Sequence, residues 1–309
     1  MRNSSRTSLF TNIGEKIVSR EPLVSIITPS FNRVRYLEAC LQSVLNQSYP
    51  NIEHIIIDGA SADGTVELLT RYQARYPDRI RFISEPDEST EETVNKGFAM
   101  AKGAIFGWLG SDDIFEPDAL QTVAEFFNAN PDAYFVFGDC NYIDEKGEIS
   151  DRYETKDFDL DELINDSCHI PCPSAFYRRE VVEKVGGFDT TIKGSDVEYW
   201  MRIGKVFAIH RIKKTLSSYR QHMDKRGAAV MEATSRARED FLVSRRYGGR
   251  LFSPRARRYY LLAITGAIRR VLLPIYQHCL KRVVDLLRPV FGFSYPFFMR
   301  ALDRLTIKR

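Results

Sequence analysis

No stretch of the 309-residue sequence reaches the roughly 18 uncharged apolar residues that a membrane-spanning helix needs. The best apolar runs are Tyr259 to Ile268, Val271 to Leu280 and Pro289 to Met299. Joining the first two into one span would place Arg269 and Arg270 near the bilayer centre, at a cost of about 2.5–3.5 kcal/mol each. The first 22 residues lack the apolar core of about 7–15 residues found in a secretory signal. Cysteine is sparse: Cys40, Cys140, Cys168, Cys172 and Cys279 form an odd, scattered set that excludes a disulfide scaffold. These absences point to a reducing, cytoplasmic setting. An excess of one charge is missing as well, with 44 Lys/Arg against 41 Asp/Glu, so no nucleic-acid partner is expected. There is no internal repeat and no low-complexity segment. Neither GxGxxG after the first strand nor GxxxxGK[ST] anywhere is present, which removes the two common phosphate-binding loops.

What is present is 44% hydrophobic residues, enough for one large domain or two small ones, and a lopsided charge distribution. From residue 232 onward there are 17 Lys/Arg and 5 Asp/Glu, so an acidic body is followed by a basic tail. Val24 to Thr28 is a short β-branched run stopped by Pro29, as in a buried strand. Leu37, Cys40, Leu41, Val44 and Leu45 then recur at helical spacing. Strands are expected at 52–58, 80–84 and 104–109. Between them the pattern predicts helices through Leu68, Leu69 and Tyr72, with Ser61 and Asp63 available as caps, and over 91–102, ending at Gly103.

This alternation implies βαβ units, hence an α/β domain with a mostly parallel sheet and helices on both faces. Ligands of such sheets bind beyond the carboxyl ends of the strands. Pro29 to Asn32, Asp58-Gly59 and Ser111 to Asp113 all lie at such ends. A helix over 117–128 and a strand over 133–137 follow, after which the pattern is less regular. The expected organisation is a polar arm over 1–22, an α/β domain over 23–230 and a basic, aromatic-rich helical extension over 231–309.

Asp112-Asp113 is the sharpest chemical feature. Adjacent carboxylates resist joint ionisation unless a cation sits beside them, and hard oxygen donors suit Mg²⁺ or Mn²⁺ with phosphate as co-ligand. Taken alone, the pair also fits a solvated turn or a helix cap. Asp58 fits either a ribose or base contact or an ordinary turn before Gly59.

Seven segments in order resemble the family-two inverting glycosyltransferases of the GT-A fold. They are Val24 to Asn32, Ile56 to Thr65, Ser84-Glu-Pro-Asp87, Asn95-Lys-Gly97, Trp108 to Asp113, Gly186-Gly-Phe-Asp189 and Ser195 to Arg202, and they span roughly residues 22 to 222. The Ile-Asp-Gly-x-Ser form and the Ser-Glu-Pro-Asp segment are most similar to the branch that builds bacterial surface polysaccharides and O-antigen repeats. The resemblance implies that Pro29, Ser30, Asn32, Asp58, Asp87, Asn95 and Lys96 line a nucleotide-sugar cleft. It implies that Asp112 and Asp113 hold Mn²⁺ or Mg²⁺ through the donor's diphosphate, with Asp112 also contacting the donor. By the same match Asp196 is the catalytic base. His222, in Tyr219-Arg-Gln-His222, either approaches the metal or is a solvated loop residue.

Three positions depart from the family pattern. Gly110 replaces an Asp two places before the metal-binding Asp, and Ser195 replaces the Glu preceding the base, leaving open whether Glu198 substitutes. The segment 88–93 lacks Gly-Ile-Tyr-Asp. The expected activity is metal-dependent, inverting transfer from a nucleotide sugar, a UDP-sugar, to a glycan or lipid-linked acceptor. The rivals are a catalytically silent glycan-binding or assembly subunit with the same fold, and a nucleotidyltransferase.

Cys168-His-Ile-Pro-Cys172 has too few partners for a structural zinc site, so its thiols are expected buried beside the acceptor pocket. Trp108 and Trp200 are read as core residues or as sugar-stacking platforms. The tail fits either an interfacial anchor on an anionic membrane, peripheral on the cytoplasmic face, or a helical appendage packed on protein.

Overall fold

The computed structural model describes residues 21–192, 196–221 and 233–265. Its first half follows the expected alternation. Strands β1 (Val24–Ser30), β2 (Ile52–Asp58), β3 (Ile80–Ser84) and β4 (Ile105–Trp108) are joined by helices α1 (Val34–Leu45), α2 (Thr65–Arg75) and α3 (Thr90–Met100). These four strands are parallel in the order β3-β2-β1-β4. The whole of β2 is buried, because helices cover both faces of this half of the sheet.

The less regular half contains β5 (Ile114–Phe115), α4 (Ala119–Ala129), β6 (Phe135–Ile143), β7 (Ile149–Tyr153), α5 (Leu160–Asn165), β8 (Ala175–Arg178), α6 (Arg179–Val185), α7 (Asp196–Gly204) and β9 (Ile209–Arg220). It extends the same sheet as β4-β8-β6-β9-β5, with β7 paired to β6. Here β8 runs antiparallel to both β4 and β6, and β9 parallel to β6. Strand β6 outruns the expected 133–137. Its polar residues do not end it, because Asp139 Oδ1 is occupied by the Thr155 N–H, the Thr155 hydroxyl and Arg211.

Two local expectations change. Helix α3 ends at Met100, because Ala101 turns extended (φ −67°, ψ 137°) and Gly103 gives its N–H to Ser25 Oγ at 2.8 Å. A Cβ at Gly103 would lie 2.5 Å from that oxygen, so glycine serves close approach to β1 and not the end of a helix. Asp63 meets two helix starts, accepting from Thr65 N–H (3.1 Å) at α2 and from Val34 N–H (3.1 Å) at α1. Ser61 caps neither helix; it is used in the loop described below.

Buried Glu53 ties the parallel half together. It accepts from Ser25 Oγ (2.5 Å), Lys102 N–H (2.5 Å) and Arg81 (2.6 Å). Burial raises its pKa, but these donors outweigh burial and hold the carboxyl below its ordinary value.

Trp200 is fully buried and meets Phe135 at 5.0 Å, while Trp108 packs 5.8 Å from Phe188, so Trp200 serves the core and not a sugar. Helix α8 (Ala233–Arg246) and a helix starting at residue 254 lie against α5 and α7. Arg255, 5% exposed, donates to the carbonyls of Leu163 (2.7 Å) and Ile164 (3.2 Å), and Tyr247 donates to Glu198. The described part of the tail therefore packs on the α/β body. No helix of the described residues is long and apolar enough to cross a membrane.

Candidate active site

The end of β1 opens the crevice. Pro29 is half-buried and Ser30 is buried, with a hydroxyl that finds no partner among the described residues. Asn32 adopts φ 51°, a left-handed conformation that asparagine tolerates. Its N–H donates to Ser61 Oγ (2.7 Å) and its Oδ1 accepts from Ala62 N–H (3.0 Å). Asp58, at the end of β2, has no exposed surface. Its carboxylate accepts from Ser61 N–H (2.9 Å), Ser61 Oγ (2.5 Å) and Ser84 Oγ (2.7 Å). Asp58 thus shapes the loop that holds Asn32. Asp87 accepts from Thr93 Oγ1 at 2.8 Å, and its Oδ2 would lie 2.8 Å from a Cβ at Gly59. Glycine at 59 is what lets Phe31 and Asp87 approach this turn.

Asn95 and Lys96 are engaged differently. Asn95 grips the backbone of Phe188 from both sides, its Nδ2 donating to the carbonyl (2.9 Å) and its Oδ1 accepting from the N–H (2.8 Å). A Cβ at Gly187 would fall 2.2 Å from Asn95 Oδ1, which explains the second glycine of Gly186-Gly-Phe-Asp189. The first, Gly186, has φ 81°. Lys96 pairs with Glu85 (2.8 Å) and Glu92 (3.0 Å).

Asp112 and Asp113 follow β4 and are 6% and 4% exposed. Their oxygens converge over Gly110, where a Cβ would lie 2.7 Å from Asp113 Oδ2 and 3.0 Å from Asp112 Oδ1. The departure at 110 therefore clears the space into which both carboxylates point. Two cationic residues frame the pair. Arg33 Nε lies 3.6 Å from Asp112 Oδ2. Arg220, buried at the end of β9, donates from its backbone N–H to Asp113 Oδ1 (2.8 Å), from Nε to the Asp112 carbonyl (2.8 Å) and from Nη1 to the Asp144 carbonyl (2.8 Å). Its guanidinium also lies 5.1 Å from the Tyr36 ring centroid. Sequence reasoning missed both arginines; Arg220 was visible only as a neighbour of His222. His222 itself lies outside the described residues.

Two hard carboxylates aimed at one cleared space fit a divalent cation that draws its other ligands from water and phosphate. Among the described residues no group of three or more His, Cys, Asp or Glu side chains could hold a metal, and this includes the Cys168–Cys172 segment.

Asp196 begins α7. Burial pushes its carboxyl above the ordinary Asp range, and the Asp240 charge adds to the rise. Hydrogen bonds from Cys172 and from the backbone N–H groups of Asp196 and Val197 pull the other way. Cys172 Sγ is 2.9 Å from Asp196 Oδ2. Ser195 lies outside the described residues. Glu198 does not take over as a supporting acid, because Arg202 binds it through two nitrogens (3.0 and 2.9 Å) and Tyr247 donates to it. Arg202 also donates to the carbonyls of Val185 (2.6 Å) and Gly187 (2.9 Å), tying the turn that Asn95 grips to α7.

The arrangement therefore brings together the loops at the parallel strand ends, a convergent acidic pair, and a separate buried carboxyl with a raised pKa at a helix start.

Comparison with known proteins bears on the family and the fold. The chain is 29% identical over 255 residues to an uncharacterized glycosyltransferase of Nostoc sp., covering 74% of this chain and 78% of that protein. It is 30% identical over 207 residues to chondroitin synthase of Escherichia coli, covering 65% of this chain but 30% of the synthase. It is 32% identical over 180 residues to the O-antigen biosynthesis protein RfbC of Myxococcus xanthus, covering 58% of this chain and 14% of that protein.

Among solved structures, TarS of S. aureus in complex with UDP-GlcNAc shares the fold at TM-score 0.60 and 16% identity, covering 76% of this chain and 69% of TarS. The mannosyltransferase PcManGT from Pyrobaculum calidifontis, in complex with GDP-Man and Mn²⁺, does so at TM-score 0.57 and 17% identity, covering 94% and 89%. The family model for glycosyl transferase family 2 matches residues 25–186, from the start of β1 to the first glycine of the Gly186-Gly187 turn, and the chain belongs to that glycosyltransferase family.

Proposed function

We propose that the protein transfers a sugar from a nucleotide-sugar donor, a UDP-sugar, to a hydroxyl of a glycan or lipid-linked acceptor, inverting the anomeric centre, in the synthesis of a surface polysaccharide. The observation that carries this reading is the convergence of Asp112 and Asp113 over Gly110 at the end of β4. The relatives named for chondroitin and O-antigen synthesis support the product class, and UDP-GlcNAc on TarS supports the donor class.

Pro29, Ser30, Asn32 and Asp87 line the donor cleft, Asp58 shapes its loop from beneath, and Asn95 and Lys96 lie beside it. Asp112 and Asp113 would hold Mn²⁺ or Mg²⁺, which when bound neutralises charge on the leaving diphosphate. Asp196 accepts the proton of the attacking acceptor hydroxyl. Its raised pKa brings it closer to the operating pH, where a general base works best. Arg220 keeps the acidic pair in register through the contacts to Asp113 and Asp112. One displacement on the face opposite the leaving group gives inversion.

The experiment is release of UDP from a panel of UDP-sugars with Mn²⁺, by wild type and by Asp196→Asn. The substitution lowers turnover about 10²–10⁴-fold with donor binding retained. Unchanged turnover refutes the base assignment. Absence of metal-dependent binding of any nucleotide sugar would favour the silent-subunit reading.

The tail is assigned to an anionic membrane surface on the cytoplasmic face. In its described part Phe252 (81% exposed), Leu261 (64%) and Ile264 (57%) lie bare near exposed Arg257 and Arg258, the combination that interfacial binding uses.

A further inference from the structure

The family places a Glu before the catalytic Asp, and this chain has Ser195 there. Glu198 is committed to Arg202 and Tyr247. Among the described residues, the side chain that reaches Asp196 is a thiol. We propose that Cys172 positions the Asp196 base, its S–H holding Oδ2 by a hydrogen bond so that the carboxylate keeps one orientation toward the acceptor. The inference rests on Asp196 being the base.

The thiol is delivered by a rigid piece of chain. Cys172–Ser174 form a single tight turn before β8, and Ser174 Oγ both donates to the Asp139 carbonyl (2.9 Å) and bonds Ser217 Oγ (2.6 Å). The turn is thereby pinned to β6 and β9, and Cys172 Sγ sits 2.9 Å from Asp196 Oδ2. Burial, followed by the charge of Asp196, keeps the Cys172 thiol protonated and able to donate.

Among the described residues, the other titratable groups acting on Asp196 are Cys168, from the same segment, and Asp240 of α8, which has Arg255 at 3.9 Å. Asp240 raises the Asp196 pKa and donates nothing to it; among the described residues, Cys172 and the backbone N–H groups at the start of α7 stabilise the ionised form.

The test needs no substrate. The full chain carrying carboxyl-¹³C aspartate is titrated by NMR, and the Asp196 resonance is identified by its loss in Asp196→Asn. Removing a hydrogen bond to an ionised group raises the Asp196 pKa in Cys172→Ala by about one unit. Cys172→Ser, which keeps a donor, returns most of that shift. The unchanged titration of the other aspartates shows that the fold is intact. An Asp196 curve in Cys172→Ala that overlies wild type, or one that Ser leaves displaced, overturns the proposal.

Should the Ala variant fail to fold, the infrared S–H band of Cys172 serves in its place. The band moves to higher frequency in Asp196→Ala if the thiol donates to the carboxylate, and a stationary band overturns the contact. Full turnover in Asp196→Asn refutes the base assignment itself, whatever the titration shows. Reduced turnover in that variant with no shift in Cys172→Ala refutes only the positioning role.

Discussion

Arg220 and Asp113 are 107 residues apart in the sequence and meet at 2.8 Å, the arginine's backbone N–H donating to Asp113 Oδ1. The same residue's Nε takes the Asp112 carbonyl and its Nη1 the Asp144 carbonyl, so one buried side chain clamps three segments. The acidic pair is therefore not a solvated turn. Its geometry depends on the far end of β9.

Replacing Arg220 tests that clamp. Arg220→Ala leaves the Asp112 and Asp144 carbonyls without this donor in a buried place, a loss of about 2–4 kcal/mol of stability. Arg220→Lys keeps the charge but lacks the planar fork that reaches both carbonyls, and it recovers only part of the loss. Chemical denaturation measures the first effect, and calorimetric Mn²⁺ titration follows the accompanying drop in metal affinity.

Gly110 supplies room. With a Cβ there 2.7 Å from Asp113 Oδ2, Gly110→Ala pushes the carboxylates apart, and Gly110→Asp brings the same clash with a bulkier side chain. Both variants are expected to bind Mn²⁺ at least about tenfold more weakly, a change of about 1.4 kcal/mol. Tighter binding by Gly110→Asp would mean that the glycine is a lost ligand position.

Much of this site could be read from the sequence, and what could not has a physical cause. The strand end carrying Asp58 follows from the β-branched run before it, and the turn carrying Asp113 from the apolar run of residues 104–109. The roles of Asn95 and the Gly186-Gly187 pair did not, because their meaning is a contact across 93 residues, from the Asn95 amide to the Phe188 backbone. Strand β6 was cut short in the sequence reading because Asp139 and Asn141 break the apolar pattern, and only the fold shows that Arg211 and Thr155 satisfy Asp139. Periodicity reports local burial and is silent on which distant donor makes a polar residue tolerable inside.

Asp196 sets an opposition between stability and activity. Its folded-state pKa is raised, so the group favours the fold fully below its unfolded value, and this contribution is lost as pH rises through the folded value. At neutral pH the ionised base is a burden on the fold. Asp196→Asn removes the charge and is expected to raise Tm by about 2–4 °C, the response of a domain of this size to about 1 kcal/mol, while lowering turnover. Calorimetry on the two proteins at pH 7 decides this, and a lower Tm in the variant contradicts it.

Glu53 has the opposite sign. Its pKa is lowered in the fold, so its stabilisation is present above the ordinary Glu value of about 4.3 and is lost as pH falls through the lower folded value. Glu53→Gln therefore narrows the stability difference between pH 7 and pH 3 relative to wild type, read from urea midpoints. An unchanged difference would remove Glu53 from the acid response.

The described part of the tail packs on the α/β body. Ending the chain after residue 230 removes Tyr247 from Glu198 and Arg255 from the carbonyls of α5, and strips cover from α7. That truncation is expected to be insoluble or to melt well below wild type. Ending it after residue 265 keeps those contacts, so the fold persists, and sedimentation with anionic vesicles is expected to fall relative to the full chain if residues 266–309 carry membrane affinity.

The most direct measurement is metal-dependent UDP release from a UDP-sugar panel by wild type, by Asp112→Ala/Asp113→Ala and by Asp196→Asn, with binding of each donor followed in parallel. The account predicts turnover of one donor that is lost with a chelator or with the double variant, and donor binding that survives Asp196→Asn while turnover falls about 10²–10⁴-fold. Nucleotide-sugar binding indifferent to Mn²⁺ and to both aspartates would contradict it.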